Sequence, residues 1–251
     1  MKMITIDYHD NVMVAKLNRG VTNALNLELV NQLNETLQKA KNDPDVHGFV
    51  LGSSNEKFFA IGFDIPQLFE LEEEDFMVFY RGFNRMYLDL YTLPMPTVAA
   101  ITGHATAGGC ILALCCDYRL IAEGRKLMGL NEIKLGVPVP YLADCILRSI
   151  VGVPNAREIM ESGDFYPPEQ SLRMGMVDRV LPMEKVLSQA IEKAKLIGSL
   201  PQKAFELIKQ NRVETVTARA LAHREEKEQL FKQCWYSDQA RMQLKEAIEK
   251  F

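Results

Sequence analysis

Strand-like and helix-like stretches alternate through the first 122 residues, and this constrains the fold more than any other feature of the chain. Residues 3–8 and 12–17 read as paired strands joined at His9-Asp10-Asn11. Leu27, Val30, Leu33, Leu37 and Ala40 recur every three or four residues, which predicts a helix over 27–42, stopped at Asn42-Asp43-Pro44. Phe49-Val50-Leu51 is a short buried strand, followed by a polar loop over 53–62. Phe76, Phe79, Tyr80, Phe83, Met86, Tyr87 and Leu90 mark a second helix, closed by Pro94 and Pro96. Thr97 to Ile101 is another buried strand, a helix begins near Gly108, and Tyr118 to Ala122 is a further strand. Such alternation predicts an α/β chain with right-handed crossovers and a parallel sheet under helical cover.

After about residue 140 strands nearly vanish, with Val177 to Leu181 as a last short one. Gly198-Ser199-Leu200-Pro201 reads as a hinge, and 202–250 is almost purely helical with long charged faces. The expected division is a core over 1–197 and a helical region over 198–251. A chain of 251 residues buries a full core without staples.

Lys plus Arg number 29 against 33 Asp plus Glu, so no overall basic field attracts nucleic acid or an anionic membrane. No apolar run reaches the ~18 residues of a membrane span. The start alternates like a strand rather than a leader, and the end is not of the Ser-Lys-Leu type. Cys110, Cys115, Cys116, Cys145 and Cys234 are odd in number and match neither a disulfide framework nor a zinc pattern. These features predict a cytoplasmic protein with reduced cysteines and no metal.

Three segments could carry chemistry. Phe59-Ala60-Ile61-Gly62-Phe63-Asp64-Ile65 is a loop entering a helix, where Gly62 permits a tight turn and Asp64 can cap. Taken alone, it reads as an ordinary capped helix start. Gly103-His104-Ala105-Thr106-Ala107-Gly108-Gly109-Cys110 follows a strand and opens an apolar helix, so its amides can face an anion. The glycine spacing is not that of a dinucleotide fingerprint, and close helix–sheet packing explains it as well. Leu130-Asn131-Glu132-Ile133 sets one acid among apolar neighbours, where burial would raise its pKa, unless Glu132 is a surface residue at a strand end. Taken together, two sets of backbone donors and one carboxylate make an oxyanion hole and a base.

In that combination the sequence resembles the crotonase (enoyl-CoA hydratase/isomerase) superfamily. The resemblance runs from Leu17-Asn18-Arg19 and Asn23-Ala24-Leu25-Asn26 to the C-terminal helices. It implies a spiral of ββα repeats, a helical trimerisation region, and homotrimers or paired trimers forming hexamers. It implies an acyl-CoA thioester as substrate, with coenzyme A part of that substrate and no separate cofactor. By motif position it implies an oxyanion hole at Phe63 and Gly108. Ala60, Ile61, Gly62, Asp64, Ile65, Gly109 and Ile111 are then expected around the substrate.

Hydratases of the superfamily use two glutamates. The position of the first is occupied here by Ile111, and the second matches Glu132. Pro138-Val139-Pro140-Tyr141 also replaces the glycine-rich segment common in hydratases. The resemblance is therefore greatest to Δ3,Δ2-enoyl-CoA isomerases, which use a single glutamate. Hydration, thioester hydrolysis or decarboxylation of an acyl-CoA is the alternative, and a non-catalytic acyl-CoA-binding scaffold is the alternative of another class. His104 is expected as pocket lining or structure, and Tyr80, Tyr87 and Tyr91 as core. Asp144 is expected as a cap or surface residue, and Arg19 and Lys57 as contacts to CoA phosphates or solvated charges.

Overall fold

The computed structural model describes residues 2–249. The chain opens with the antiparallel pair β1 (Ile4–His9) and β2 (Val12–Leu17). There follow α1 (Leu27–Asn42), β3 (Gly48–Ser53), β4 (Phe58–Ala60), α2 (Ile65–Phe69) and α3 (Glu73–Tyr91). The next turn holds β5 (Thr97–Ile101), β6 (His104–Thr106) and α4 (Gly108–Leu114). Then come β7 (Tyr118–Ala122), β8 (Met128–Gly129), a 3-10 turn (Glu132–Leu135) and α5 (Tyr141–Ser162). The remainder is β9 (Phe165–Tyr166), α6 (Pro168–Arg173), β10 (Arg179–Leu181), α7 (Met183–Gly198), α8 (Gln202–Ala222), α9 (Arg224–Trp235) and α10 (Asp238–Ile248).

Two sheets result. The larger has the order β1-β2-β3-β5-β7-β10 and is parallel from β2 onward; the smaller has the order β4-β6-β8-β9. In each of the pairs β3/β4, β5/β6 and β7/β8 the first strand enters the large sheet and the second the small one. This is a spiral of ββα turns. The large sheet is apolar on both faces, as a helix-covered parallel sheet must be. One face packs Val12, Val14, Val50 and Val98 against Val186, Ala190 and Ala194 of α7. The other joins the main core with Leu33 and Leu37 of α1 and Phe83 and Met86 of α3.

Helix α1 falls where its periodicity places it, capped by the Asn26 side chain, which accepts from Leu29 N–H. The loops expected over 53–62 and after Gly103 contain the three-residue strands β4 and β6, which pair in parallel. Strands this short offer no alternation to read. The last strand is shorter than expected, at 179–181, and β9 pairs antiparallel with β8.

The C-terminal helices fold back on the rest of the chain. Helix α8 lies on α5, α9 on α3, and α10 on α2 and the 3-10 turn. Lys209 of α8 is buried, its Nζ 2.8 Å from Asp117 Oδ2 and donating to the Met95 carbonyl at 3.1 Å. Phe231 and Trp235 of α9 belong to the main core. Among the described residues, no helix is long and apolar enough to cross a membrane.

Candidate active site

The first loop, 59–65, is held by side chains. Asp64 caps α2 by accepting from Gln67 N–H, and its other oxygen pairs with Arg19 Nη2 at 2.5 Å. Arg19 Nη1 also donates to the Ala24 carbonyl at 2.7 Å. Arg19 N–H donates to Asn23, whose amide reaches the Phe59 carbonyl at 3.0 Å. Arg19 thus orders the loop rather than standing free as a solvated charge. Between these anchors Leu25 N–H donates to the Gly62 carbonyl at 2.7 Å, and Asp64 N–H donates to the Leu25 carbonyl at 2.9 Å. This parallel bridge uses the groups on either side of Phe63, so the Phe63 N–H points away from Leu25.

The second loop, 103–109, is held by lack of space. A Cβ on Gly109 would lie 2.0 Å from the Ala60 carbonyl oxygen, and one on Gly62 would lie 2.8 Å from Gly108 N. The two loops therefore touch, backbone to backbone. Ala107, at φ 47 and ψ −121, takes a strained turn into α4. Its N–H donates to the Gly129 carbonyl at 2.9 Å. Gly108 begins α4, so its N–H is one of the four donors that a helix leaves without an internal partner. The buried Tyr87 hydroxyl donates to the Gly108 carbonyl at 2.8 Å and fixes that peptide from behind.

Both loops border one cavity of about 220 Å³. Phe63, Gly108 and Glu132 all line it, with Ile61, Ile65, Thr106 and Ile111 beside them. Asn131, Leu135, Val137 and Pro140 close one side, and Phe83, Phe231 and Trp235 another. Glu132 sits on the 3-10 turn, not on a strand, and is only 7% exposed. Its Oε2 is buried without a hydrogen-bond partner. Burial pushes its pKa up to about 7, opposed only by a hydrogen bond from its own backbone. The turn is fixed at its end by Gly136 at φ 74, where a Cβ would come within 2.9 Å of Ala240 in α10.

Of the residues expected around the substrate, Ile61, Ile65 and Ile111 line the cavity with Phe63, Gly108 and Glu132. Ala60, Gly62, Asp64 and Gly109 do not. Ala60, Gly62 and Gly109 form the contact between the loops, and Asp64 faces Arg19. His104 lies outside the cavity lining; its Nδ1 accepts from Leu127 N–H at 3.1 Å. Burial, with Lys126 and Lys57 nearby, lowers its pKa. Asp144 pairs with Arg148 at 2.6 Å. Lys57 places its ammonium 5.5 Å from the centroid of the Phe58 ring. Sequence reasoning missed Tyr87 as a backbone anchor, and Phe231 and Trp235 as cavity lining. The last two stand four residues apart on one face of α9, a spacing visible in the sequence, but nothing in it says what that face covers.

A family model described as enoyl-CoA hydratase/isomerase matches residues 7–251. The chain belongs to this family. It is 34% identical over 180 residues to the mitochondrial enoyl-CoA delta isomerase 1 of Mus musculus, a match covering 71% of this chain and 62% of that protein. It is 30% identical over 208 residues to a probable enoyl-CoA hydratase of Mycobacterium bovis, covering 82% and 79% of the two chains. Among solved structures, human mitochondrial delta3-delta2-enoyl-CoA isomerase superposes with a TM-score of 0.96 at 28% identity, covering 99% of this chain and 98% of that one. Enoyl-CoA hydratase from Bacillus halodurans shares the fold, with a TM-score of 0.90 at 20% identity. Family membership makes the chain a crotonase-type protein, within a family whose members include both isomerases and hydratases.

Proposed function

We propose that this protein is a Δ3,Δ2-enoyl-CoA isomerase. The observation that carries the reading is that Glu132 is the only carboxylate among the described residues lining the cavity, beside Phe63 and Gly108. Glu132 removes a proton from C2 of a 3-enoyl thioester. The electron pair of that C–H bond moves into the carbonyl and gives a dienolate. The Phe63 and Gly108 amides stabilise its oxygen, each such donor contributing ~3 kcal/mol. Glu132 returns the proton at C4, the double bond then lies between C2 and C3, and the carboxylate is regenerated. A base with a pKa near 7 suits this shuttle, because it accepts and gives up the proton at neutral pH. The reaction uses no cofactor beyond the CoA carried by the substrate. The apolar Ile111 at the cavity wall supplies no second carboxylate to activate a water, which disfavours hydration.

The same reading makes the protein a cytoplasmic homotrimer or hexamer. Exposed Leu196 of α7, Leu200 in the connection, and Leu207 and Ile208 of α8 offer apolar surface for such an assembly. Five free thiols fit a reducing compartment.

The test is isomerisation of trans-3-hexenoyl-CoA, read by the absorbance of the conjugated product, beside hydration of crotonyl-CoA. The expected outcome is isomerisation well above hydration. Hydration at a matching rate would move the assignment to a hydratase.

A further inference from the structure

The cavity has a direction. Among the lining residues Phe165 is 37% exposed, whereas Phe83, Phe231 and Trp235 are at most 2% exposed, so we take the Phe165 side as the open one and the aromatic side as the closed one. The thioester therefore enters on the Phe165 side, and the acyl tail runs toward the aromatic end. That end is a block of packed rings. Phe231 stacks on Tyr80 with centroids 4.2 Å apart, Phe76 stacks on Trp235 at 4.6 Å, and Phe63 meets Phe83 edge-on at 4.7 Å.

Behind this block lies a second apolar cavity of about 70 Å³, lined by Tyr80, Leu88, Tyr141, Leu142, Ala220 and Leu221. Phe231 borders the first cavity and Tyr80 the second, so one stacked ring pair divides them. The second cavity carries charge at its edge. Arg85, Arg224 and Lys227 line it with the buried Glu228, which pairs with Arg224 at 3.1 Å. A hydrocarbon tail that passed the ring pair would meet these charges.

We infer that the Tyr80–Phe231 pair is the stop that sets acyl-chain length, so that the protein takes short- and medium-chain 3-enoyl thioesters in preference to long-chain ones. The inference rests on the acyl-CoA reading proposed above. Tyr80 and Phe231 are each 2% exposed and pack against Phe76 and Phe83, so the pair opens toward the second cavity only by displacing those neighbours. Phe231 is thus assigned a specificity role, distinct from the proton chemistry at Glu132.

The experiment measures binding of saturated butyryl-, hexanoyl-, octanoyl-, dodecanoyl- and palmitoyl-CoA to the full chain, together with kcat/KM for the matching 3-enoyl thioesters. Affinity is expected to rise about fourfold per methylene up to eight carbons. It is then expected to fall by roughly tenfold or more at twelve, as the tail overfills the cavity. Phe231→Ala joins the two cavities and should reverse that fall, raising the twelve-to-six carbon ratio by roughly tenfold or more. Phe231→Leu keeps most of the packing and should move the ratio the same way by a smaller factor, so the test survives if the alanine variant fails to fold. Equal binding from eight to sixteen carbons in the unchanged protein, or an unchanged ratio in a folded Phe231 variant, would overturn the assignment. Saturated thioesters cannot isomerise. Length-limited binding without turnover would therefore leave the stop in place and remove the isomerase reading, whereas turnover without a length limit would do the opposite.

Discussion

Residues 59–65 and 103–109 each bring a residue, Phe63 and Gly108, to the lining of the same cavity, but they are held there by different means. The first loop is tied by polar side chains: Arg19 to Asp64, Arg19 to the Ala24 carbonyl, and Asn23 to the Phe59 carbonyl. The second is wedged by contact, with Gly109 against Ala60 and Gly62 against Gly108, and is tied mainly through backbone groups, with Ala107 N–H on the Gly129 carbonyl and the Tyr87 hydroxyl behind the Gly108 carbonyl. Polar ties can be cut one at a time and yield graded losses. Contacts without room for a methyl group make any substitution costly, because neighbouring backbone must move. An amide held by ion pairs is thus open to tuning, while one held by backbone contact is fixed along with the fold.

The largest effect is expected where the loops meet. Gly109→Ala places a methyl 2.0 Å from a backbone oxygen that cannot move aside. It should destabilise the protein by on the order of 4 kcal/mol or more, read by denaturant unfolding. A folded variant of normal stability would remove the wedge from the comparison.

Glu132 is held by neither device, since burial alone dominates its electrostatics. Its folded pKa of about 7 lies above the unfolded value near 4.5. The protonated group therefore favours folding below pH 4.5, and this contribution is lost as pH rises through about 7. Glu132→Gln should accordingly raise stability at pH 8 by up to about 3 kcal/mol and change it little at pH 4. Thermal unfolding at the two pH values checks this, and a destabilised variant at pH 8 would show that the carboxylate has charge partners other than those seen here.

Arg19→Ala tests the polar ties. It frees Asp64 and the Ala24 carbonyl while leaving the loop contacts in place. We expect kcat to fall roughly 10- to 100-fold with little change in KM, below the 10²–10³ loss for deleting an oxyanion donor outright. Arg19→Lys should recover part of the rate. Equal changes in KM and none in kcat would place Arg19 in binding instead. The smallest effect belongs to Tyr87→Phe, which removes one buried hydroxyl bond to the Gly108 carbonyl. A loss of about 1 kcal/mol in stability and a several-fold fall in kcat are expected. A larger fall than for Arg19→Ala would reverse the ranking of the two loops.

Much of this arrangement was legible in the sequence, for identifiable reasons. The helix over 27–42 announced itself by apolar residues every three or four positions, of which Val30, Leu33, Leu37 and Ala40 share the buried face, and Asn26 caps it. The strands over 97–101 and 118–122 are mostly apolar, as a parallel sheet buried on both faces requires, with Arg119 as the charged exception. Strands β4 and β6 were hidden because three residues cannot display a period. At the site, the glycines of both loops and the lone acid at 132 stood out by residue type. Arg19 did not, because an arginine that pairs 45 residues away reads in sequence like any solvated charge. The aromatic end of the cavity was hidden for the same reason: Phe231 meets Tyr80 across 151 positions, and only the folded chain brings them together. Local signals reveal elements and turn chemistry, while contacts between distant side chains stay silent until the fold is known.

The central claim is that Glu132 alone carries the proton between C2 and C4. The most direct test is isomerisation of trans-3-hexenoyl-CoA by the unchanged protein and by Glu132→Gln, across pH 5 to 9, with binding of hexanoyl-CoA measured on both. The account predicts a rate that rises with pH through about 7 in the unchanged protein, as the buried carboxyl loses its proton. It predicts a fall of roughly 10²- to 10⁴-fold in the variant, with binding retained. A Glu132→Gln protein that isomerises within tenfold of the unchanged one would contradict it, and the proton carrier would have to be sought elsewhere.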